Sequence, residues 1–182
     1  MVKNWGEVDS KLVGDFRIFQ AREVWRQSPR TGNLHSFYVL ESRDWMNVIP
    51  LTPEGKVVMI RQYRHGTQEV TLEVPGGIVD DEDGDPAWTA ARELREETGY
   101  AARAIVPIGR VRPNPAFLTN TCYSFLALDV KLVGPPELEG AEDIAVEEVP
   151  LAAIREFVRD GRISHSLTIA AFYHLETYLR QQ

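Results

Sequence analysis

The sequence contains a single cysteine, Cys122, among 182 residues, so no internal disulfide bond can form. This scarcity is typical of proteins from a reducing compartment, and Cys122 itself lies in an apolar run that predicts a buried strand position. The sequence also lacks an apolar run long enough to span a bilayer, and its first ten residues, MVKNWGEVDS, contain no apolar signal core. From these absences we expect a cytoplasmic protein that does not insert into membranes.

The sequence has no excess of positive charge either. It contains 20 Lys and Arg residues against 27 Asp and Glu residues, which gives a formal net charge of −7. Because binding to a nucleic-acid backbone normally takes a basic surface, we expect no nucleic-acid partner, although a small nucleotide held through a metal ion is compatible with this charge. The four histidines are too scattered to predict a zinc site, and we assign them no chemistry; they are His35, His65, His165 and His174.

What the sequence does have is a dense group of acids in PGGIVDDEDGDPAWTAARELREETGY, residues 75–100. Asp85 followed by Pro86 predicts a helix start, because the Asp side chain accepts from free backbone N–H groups and Pro at the first helical position loses no hydrogen bond. Gly99 predicts the helix end, since glycine adopts the left-handed conformation on which helices commonly stop. The result is a helix of about three to four turns.

On this helix Glu93, Glu96 and Glu97 stand at positions i, i+3 and i+4, so their carboxylates converge on one side. Like charges in this arrangement repel each other and need positive charge nearby. Arg92 and Arg95 supply part of it, and a divalent cation would supply more. Oxygen ligands at this density suit Mg²⁺ or Mn²⁺ and not zinc.

The residues that precede the helix strengthen this interpretation over that of a solvated, mixed-charge helix. Residues 70–74 predict a strand that Pro75 ends, and Gly76 and Gly77 predict a loop that returns the chain to the helix. Glycines let backbone approach a ligand closely, and backbone N–H groups in such a loop can meet phosphate oxygens.

The stretch from Gly77 to Tyr100 resembles the Nudix box, whose pattern is Gly, five residues, Glu, seven residues, then Arg-Glu-apolar-any-Glu-Glu-any-Gly-apolar. The second half matches at every fixed position, from Arg92 to Tyr100. The first half departs, because Gly84 stands where the first Glu belongs and the loop carries one extra residue. Glu82 and Asp85 are both possible replacements for that Glu.

The resemblance extends beyond the box to the ADP-ribose pyrophosphatase and nucleoside diphosphate sugar hydrolase branch of the family. That branch has a Gln-aromatic-Arg strand, here residues 62–64, followed by a strand that ends Leu-Glu-apolar-Pro-small-Gly, here residues 72–77. It also tends to have a proline some fifteen residues after the box, where this sequence has Pro113 and Pro115. Together these features cover most of residues 45–150.

The resemblance implies a role for each candidate site residue. Glu93, Glu96, Glu97 and the backbone carbonyl of Gly76 are the expected metal ligands, Arg92 is expected to orient those carboxylates, and Glu142, or alternatively Glu139, is the expected general base. Arg64 is a candidate phosphate clamp because its planar fork can meet two oxygens at once. The further candidate substrate contacts are Glu73, Gly77, Trp45 (for the nucleoside) and Pro115.

The pattern of elements predicts an α/β fold, an α/β/α sandwich with a mixed sheet and a small N-terminal β subdomain. Residues 15–26 and 34–41 predict a hairpin, so we divide the chain into a subdomain at 1–44 and a Nudix domain at 45–182. The C-terminal segments predict two helices, the second capped by Ser164 or Ser166. The branch commonly dimerises through N-terminal sheets that complete the nucleoside pocket of the other chain, so we expect a homodimer.

The leading hypothesis is therefore a Mg²⁺-dependent hydrolase that splits ADP-ribose or a related nucleoside diphosphate sugar into a nucleoside monophosphate and a sugar phosphate. A nucleotide-sensing module that binds without cleaving is an alternative, supported by the irregular loop around Gly84. Cleanup of free nucleoside triphosphates is a third possibility. The sequence leaves open which base and which sugar are preferred.

Overall fold

The computed structural model describes residues 1–80, 83–138 and 140–181. The chain divides into two compact units, the first made of Met1–Asp44 with Arg112–Thr121 and the second of Trp45–Val111 with Cys122–Gln182. The first unit thus contains residues 112–121 in addition to the subdomain expected at 1–44. Among the described residues, no helix is both long enough and apolar enough to cross a membrane.

The first unit is built on a three-stranded antiparallel sheet with the order β1-β2-β3, formed by β1 (Gly6–Asp15), β2 (Phe19–Gln27) and β3 (Leu34–Ser42). The predicted two-stranded hairpin was wrong in its count, because β1 is an exposed edge strand whose mostly polar sequence, GEVDSKLVGD, shows no apolar alternation. Residues 112–121 join this unit through the Leu40–Leu118 bridge and a 2.7 Å hydrogen bond from the Thr121 N–H to Asp44 Oδ1.

The second unit contains a seven-stranded mixed sheet. Its central order is β12-β5-β4-β10-β9, with β6 paired to β5 and β7 paired to β4. The β4–β10 pair is parallel and the other pairs are antiparallel. The strands are β4 (Trp45–Leu51), β5 (Lys56–Arg64), β6 (Glu69–Glu73), β7 (Gly76–Ile78), β9 (Ala104–Val111), β10 (Cys122–Leu128) and β12 (Ile144–Pro150), while β8 (Tyr100–Ala101) pairs with β11 (Lys131–Leu132).

Helices cover both faces of this sheet. Alternate side chains of the central strands, such as Val48 and Phe125, pack against Ala90 and Leu94 of α1 (Pro86–Thr98). The intervening side chains face the other way and pack against α2 (Ile154–Arg159), which follows a 3₁₀ turn at Leu151–Ala153, and α3 (Ser166–Leu179). This arrangement follows from strands that are apolar on both faces, and it confirms the predicted α/β/α sandwich.

Two local predictions were wrong. Gly76 and Gly77 do not form a loop, because β7 pairs with β4 through Asn47↔Gly76 and Met46↔Gly77, a contact that local sequence does not reveal. Helix α3 is not capped by Ser164 or Ser166; its N-cap residue is His165, which makes no side-chain capping hydrogen bond.

Candidate active site

Helix α1 carries the acidic face of the site, and its ends lie where the sequence predicts. The Asp85 side chain accepts a 2.9 Å hydrogen bond from the Ala87 N–H, and Pro86 is the first helical residue. Gly99 ends the helix with φ +76°. These local signals fix the phase of the helix, so that Glu93 and Glu97 point toward the sheet while Glu96 is less buried.

Arg92 lies among the carboxylates of this face. Its guanidinium is 3.0 Å from Glu93 Oε1 and 2.9 Å from Glu96 Oε2, which is the orienting contact expected of it. It also donates to Asp83 Oδ2 at 3.2 Å, and Asp83 accepts a further hydrogen bond, at 2.8 Å, from the Thr89 hydroxyl.

Asp83 therefore links the loop before α1 to Arg92. Of the two residues proposed to replace the missing box Glu, Asp85 is engaged as the helix cap and Glu82 lies outside the described residues. Sequence reasoning missed Asp83 because the box was counted back from Arg92. Five residues separate Asp83 from Gly77, as the box pattern requires, but eight residues instead of seven separate it from Arg92.

Glu97 and Glu93 are the buried acids of the face. Glu97 is only 3% exposed, and its Oε2 accepts a 3.0 Å hydrogen bond from the Gly76 N–H. Burial raises the pKa of Glu97 to about 8 despite this hydrogen bond, and burial likewise raises the pKa of Glu93 to about 7. The negative charge of Glu142 also raises the pKa of both acids.

Strand β7 brings backbone close to this acidic face and to β4. A Cβ atom on Gly76 would lie 2.6 Å from the Met46 carbonyl oxygen, a backbone atom, so the close approach of β7 to β4 depends on glycine at this position. A Cβ atom on Gly77 would lie 2.5 Å from Glu93 Oε1, so a side chain there would displace the Glu93 carboxylate.

The donor set fits a hard divalent cation. Carboxylate oxygens that converge on one helix face are the ligands that Mg²⁺ and Mn²⁺ prefer. Within residues 1–80, 83–138 and 140–181, however, no three Asp, Glu, His or Cys side chains stand in a ready metal-binding arrangement. Arg92 lies between Glu93 and Glu96 and pairs with both.

Beside this face lies a cavity of about 630 Å³ between the β5–β6 hairpin, β7 and the start of α3, a volume in the range of small-molecule sites. It brings together five of the residues selected from the sequence, Trp45, Arg64, Glu73, Gly76 and Gly77, and it is lined further by Asn47, Thr71 and His165. Pro115 belongs to the first unit and is not among the lining residues.

Arg64 and Glu73 form a bidentate ion pair in the wall of this cavity. Arg64 Nε and Nη2 each donate to a Glu73 oxygen at 2.7 Å, and the Thr71 hydroxyl also donates to Glu73. Burial of Glu73, which is 2% exposed, would raise its pKa, but the hydrogen bonds from Arg64 and Thr71 outweigh this and lower it. The carboxylate of Glu73 therefore fixes the position of the Arg64 guanidinium. Arg64 Nη1 does not take part in this ion pair.

Sequence reasoning also missed His165. Its Nδ1 lies 3.2 Å from Thr168 Oγ1 and 3.3 Å from Glu73 Oε2, and its ring lines the cavity. Burial lowers the pKa of His165 despite the opposing charge of Glu73. No spacing in the sequence links residue 165 to residue 73, so only the tertiary structure reveals the contact.

We predict that Arg64→Met destabilises the protein by about 1–3 kcal/mol, because Glu73 is left as a buried carboxylate without its main partner. In the wild type the pKa of Glu73 lies below 4.5, so its contribution to stability is present above that pH and is lost as the pH falls. In the variant, burial raises the pKa of Glu73 above its ordinary value. The free energy of unfolding of the variant therefore decreases as the pH rises from the ordinary pKa of Glu73 through its raised pKa.

Urea unfolding between about pH 4 and about pH 7 measures this reversal of slope. Arg61→Met is the matched control, because Arg61 on the same strand makes an exposed bidentate pair with Glu147, at 2.8 and 3.1 Å, that is expected to contribute under about 1 kcal/mol. Equal effects of the two substitutions would contradict the prediction.

Comparison with known proteins identifies the class to which this fold and site belong. Residues 42–170 match the NUDIX domain family, and the chain belongs to that family. It is a Nudix hydrolase, as the resemblance of the box implied.

The relatives agree with the expected branch. The chain is 31% identical over 130 residues to the ADP-ribose pyrophosphatase of Bacillus subtilis, covering 71% of this chain and 70% of that protein. It is 31% identical over 164 residues to the ADP-ribose pyrophosphatase of Mycobacterium tuberculosis, covering 90% and 79%. The fold matches a crystal structure of an ADP compounds hydrolase with a TM-score of 0.86 and 20% identity, covering 100% and 97% of the two chains.

Proposed function

We propose that this Nudix hydrolase cleaves the pyrophosphate bond of ADP-ribose or a related nucleoside diphosphate sugar, and that it does so with Mg²⁺. The observation that carries the proposal is the position of the buried acids Glu97 against Gly76 and Glu93 against Gly77, beside a cavity that presents Arg64. The named activities of the relatives support the same substrate class.

Nudix ADP-ribose pyrophosphatases generally use divalent metals, usually Mg²⁺. In this chain Glu93, Glu96, Glu97 and the Gly76 carbonyl would hold the ion, with Mn²⁺ as a possible substitute. A bound divalent cation neutralises phosphate oxygens and makes a coordinated water more acidic. Glu93 and Glu96 must leave Arg92 in part to serve as ligands, and Asp83 remains to pair with Arg92 when they do.

The other residues bind substrate and move the proton. Arg64, held by Glu73, offers its Nη1 to a phosphate oxygen in the cavity, and Trp45 and Gly77 line the space for the rest of the substrate. Glu142 accepts a proton from the attacking water, whose oxygen bonds to phosphorus as the bond to the bridging oxygen breaks. Glu139, the alternative base, lies outside the described residues, and Pro115 stays a proposed substrate contact.

Incubation of the purified protein with a panel of nucleoside diphosphate sugars, with and without Mg²⁺, tests the proposal. We expect metal-dependent release of a nucleoside monophosphate from ADP-ribose or from another member of the panel. Release from none of them would overturn the proposal, and binding of ADP-ribose without turnover would favour the sensing module instead. Free nucleoside triphosphates in the same panel test the third alternative.

We predict that Glu142→Gln lowers kcat by about 10²- to 10⁴-fold, the usual contribution of a general base, while the Mg²⁺ dependence stays close to that of the wild type. The neighbouring acid provides a matched control, and Asp143→Asn is expected to keep near-normal kcat. Titration of Mg²⁺ at saturating substrate gives both quantities. A large shift in Mg²⁺ dependence would make Glu142 a metal ligand rather than the base.

We further propose a homodimer in which the sheet of residues 1–44 contacts a second copy of the chain. Large apolar side chains are exposed in this unit, and a small sheet that leaves so many of them in solvent needs a cover. They are Trp5, Val8, Leu12, Val13, Phe16, Ile18, Leu34, Phe37 and Tyr38. Phe16 and Ile18, expected on strands, lie instead in the turn between β1 and β2.

Light scattering at micromolar concentration is expected to give about twice the chain mass of 20.6 kDa. Ile18→Lys should shift the protein toward the monomer and raise KM, because a charge at the interface is buried without a partner. Leu132→Lys is the control, since Leu132 has the same 64% exposure but lies in the second unit. A monomeric wild-type protein would overturn this proposal.

A further inference from the structure

The segment that leads to Glu142 is fastened to helix α1 by Arg95. Arg95 Nη1 donates to the Pro135 carbonyl at 3.0 Å, and its Nη2 donates to Glu137 Oε1 at 2.8 Å. One guanidinium therefore holds both a backbone group and a side chain of the segment. A planar fork can satisfy these two acceptors together, whereas a lysine ammonium has a different geometry and reach.

Backbone hydrogen bonds complete the attachment. The Glu137 N–H donates to the Glu96 carbonyl at 2.7 Å, and the Val133 N–H donates to the Gly99 carbonyl at 2.9 Å. A Cβ atom on Gly134 would lie 2.9 Å from Arg95 Nη2, so the segment passes directly over the guanidinium. Residues 133–138, which we call the anchored segment, thus lie along the C-terminal half of α1.

The stability that this ion pair contributes is small, which points to another role. The side chains of Arg95 and Glu137 are 32% and 64% exposed, and ion pairs this exposed contribute little net stability. Position matters more for the chemistry, because a displacement of about 1 Å of a catalytic group can lower the rate about 100-fold. The anchored segment ends four residues before Glu142, the proposed general base.

We infer that Arg95 is a positioning residue for the reaction. By holding residues 133–138 against α1, it sets the position of the Glu142 carboxylate relative to the acidic face of α1. This inference rests on the proposed function, in which Glu142 is the general base. It predicts that the contribution of Arg95 to turnover exists only while Glu142 is present.

A double-mutant cycle tests it. Arg95→Met is expected to lower kcat about 10- to 100-fold, with KM within about twofold and an unchanged unfolding midpoint, and Arg95→Lys is expected to recover part of the loss. In a Glu142→Gln background the same Arg95→Met substitution should cause no further loss, because residues that act as a unit are non-additive. Arg103→Met is the matched control, since Arg103 forms a comparable exposed pair with Asp129 at 2.7 Å.

Each other outcome is decisive. An additive loss in the Glu142→Gln background, or an Arg95→Met protein that fails to fold, would overturn the inference by making Arg95 structural. A rise in KM without a fall in kcat would also overturn it. Full activity of Glu142→Gln alone would overturn the proposed role of Glu142 and the inference together, so the two failures are distinguishable. Glu137→Gln, which keeps the Pro135 contact, should lower kcat less than Arg95→Met.

Discussion

Glu97→Gln is expected to lower turnover by about 1000-fold or more while leaving the protein folded. Gln keeps the shape of Glu, and its amide oxygen can still accept the hydrogen bond from the Gly76 N–H, so α1 and β7 stay in contact. What disappears is the buried carboxylate that we propose as a ligand of the metal ion, and a weaker hold on the ion would reduce the stabilisation of developing negative charge. Stability at neutral pH should be equal to or above that of the wild type. Burial raises the pKa of Glu97 to about 8, so folding of the wild type requires this side chain either to take up a proton or to bury a charge, and Gln requires neither.

The measurement is kcat across a Mg²⁺ titration, with the unfolding midpoint recorded on the same preparations. Glu147→Gln is the matched control, because Glu147 is a partly exposed acid on the second unit whose partner is Arg61. It is expected to keep near-normal activity. Near-normal activity of Glu97→Gln at saturating Mg²⁺ would contradict the assignment of Glu97 as a ligand.

Gly99→Ala is expected to have the largest effect on stability, a loss of about 3 kcal/mol or more from a left-handed conformation and a backbone clash combined. Gly99 has φ +76°, and a Cβ atom there would lie 2.1 Å from the Gly134 carbonyl oxygen. Because that atom belongs to the backbone, relief requires the anchored segment to move. Activity should fall as well, since Glu142 follows that segment.

Gly55→Ala separates the cost of the left-handed conformation from the cost of the backbone clash. Gly55 has φ +75°, but nothing lies within 4 Å of its Cβ position, so its substitution introduces the conformational cost alone, about 1–2 kcal/mol. Urea unfolding of both variants gives the difference. If the two variants lose the same stability, the close approach of Gly134 to Gly99 does not constrain the fold.

The parts of the structure that the sequence predicts well are those with local causes. Helix α1 begins at Asp85 and ends at Gly99 because the capping side chain and the left-handed glycine act within a few residues of themselves. The same helical periodicity brings Glu93 and Glu97 to one face.

The parts that it does not predict depend on distant partners. Strand β1 has too few apolar residues to show alternation, and it is defined by its pairing with β2. Gly76 and Gly77 form a strand because they pair with β4. The contacts of His165 with Glu73 likewise join positions far apart in the sequence. Asp83 is a different case, since it has the spacing of the box from Gly77 but is separated from Arg92 by one residue too many.

The parallel β4–β10 pair has a consequence for the order in which the protein folds. It joins Trp45 to Cys122 and continues to Leu51 and Leu128, so the chain between the two strands must close as a long loop before the pair can form. Arg64, Glu73 and the whole of α1 lie inside that loop. Long-range closure of this kind is slow, because the entropy of the loop is lost before the contacts form. Helix α1 can therefore form early, because its capping residue and its terminal glycine act locally. The cavity beside it exists only after β4 has paired with β10.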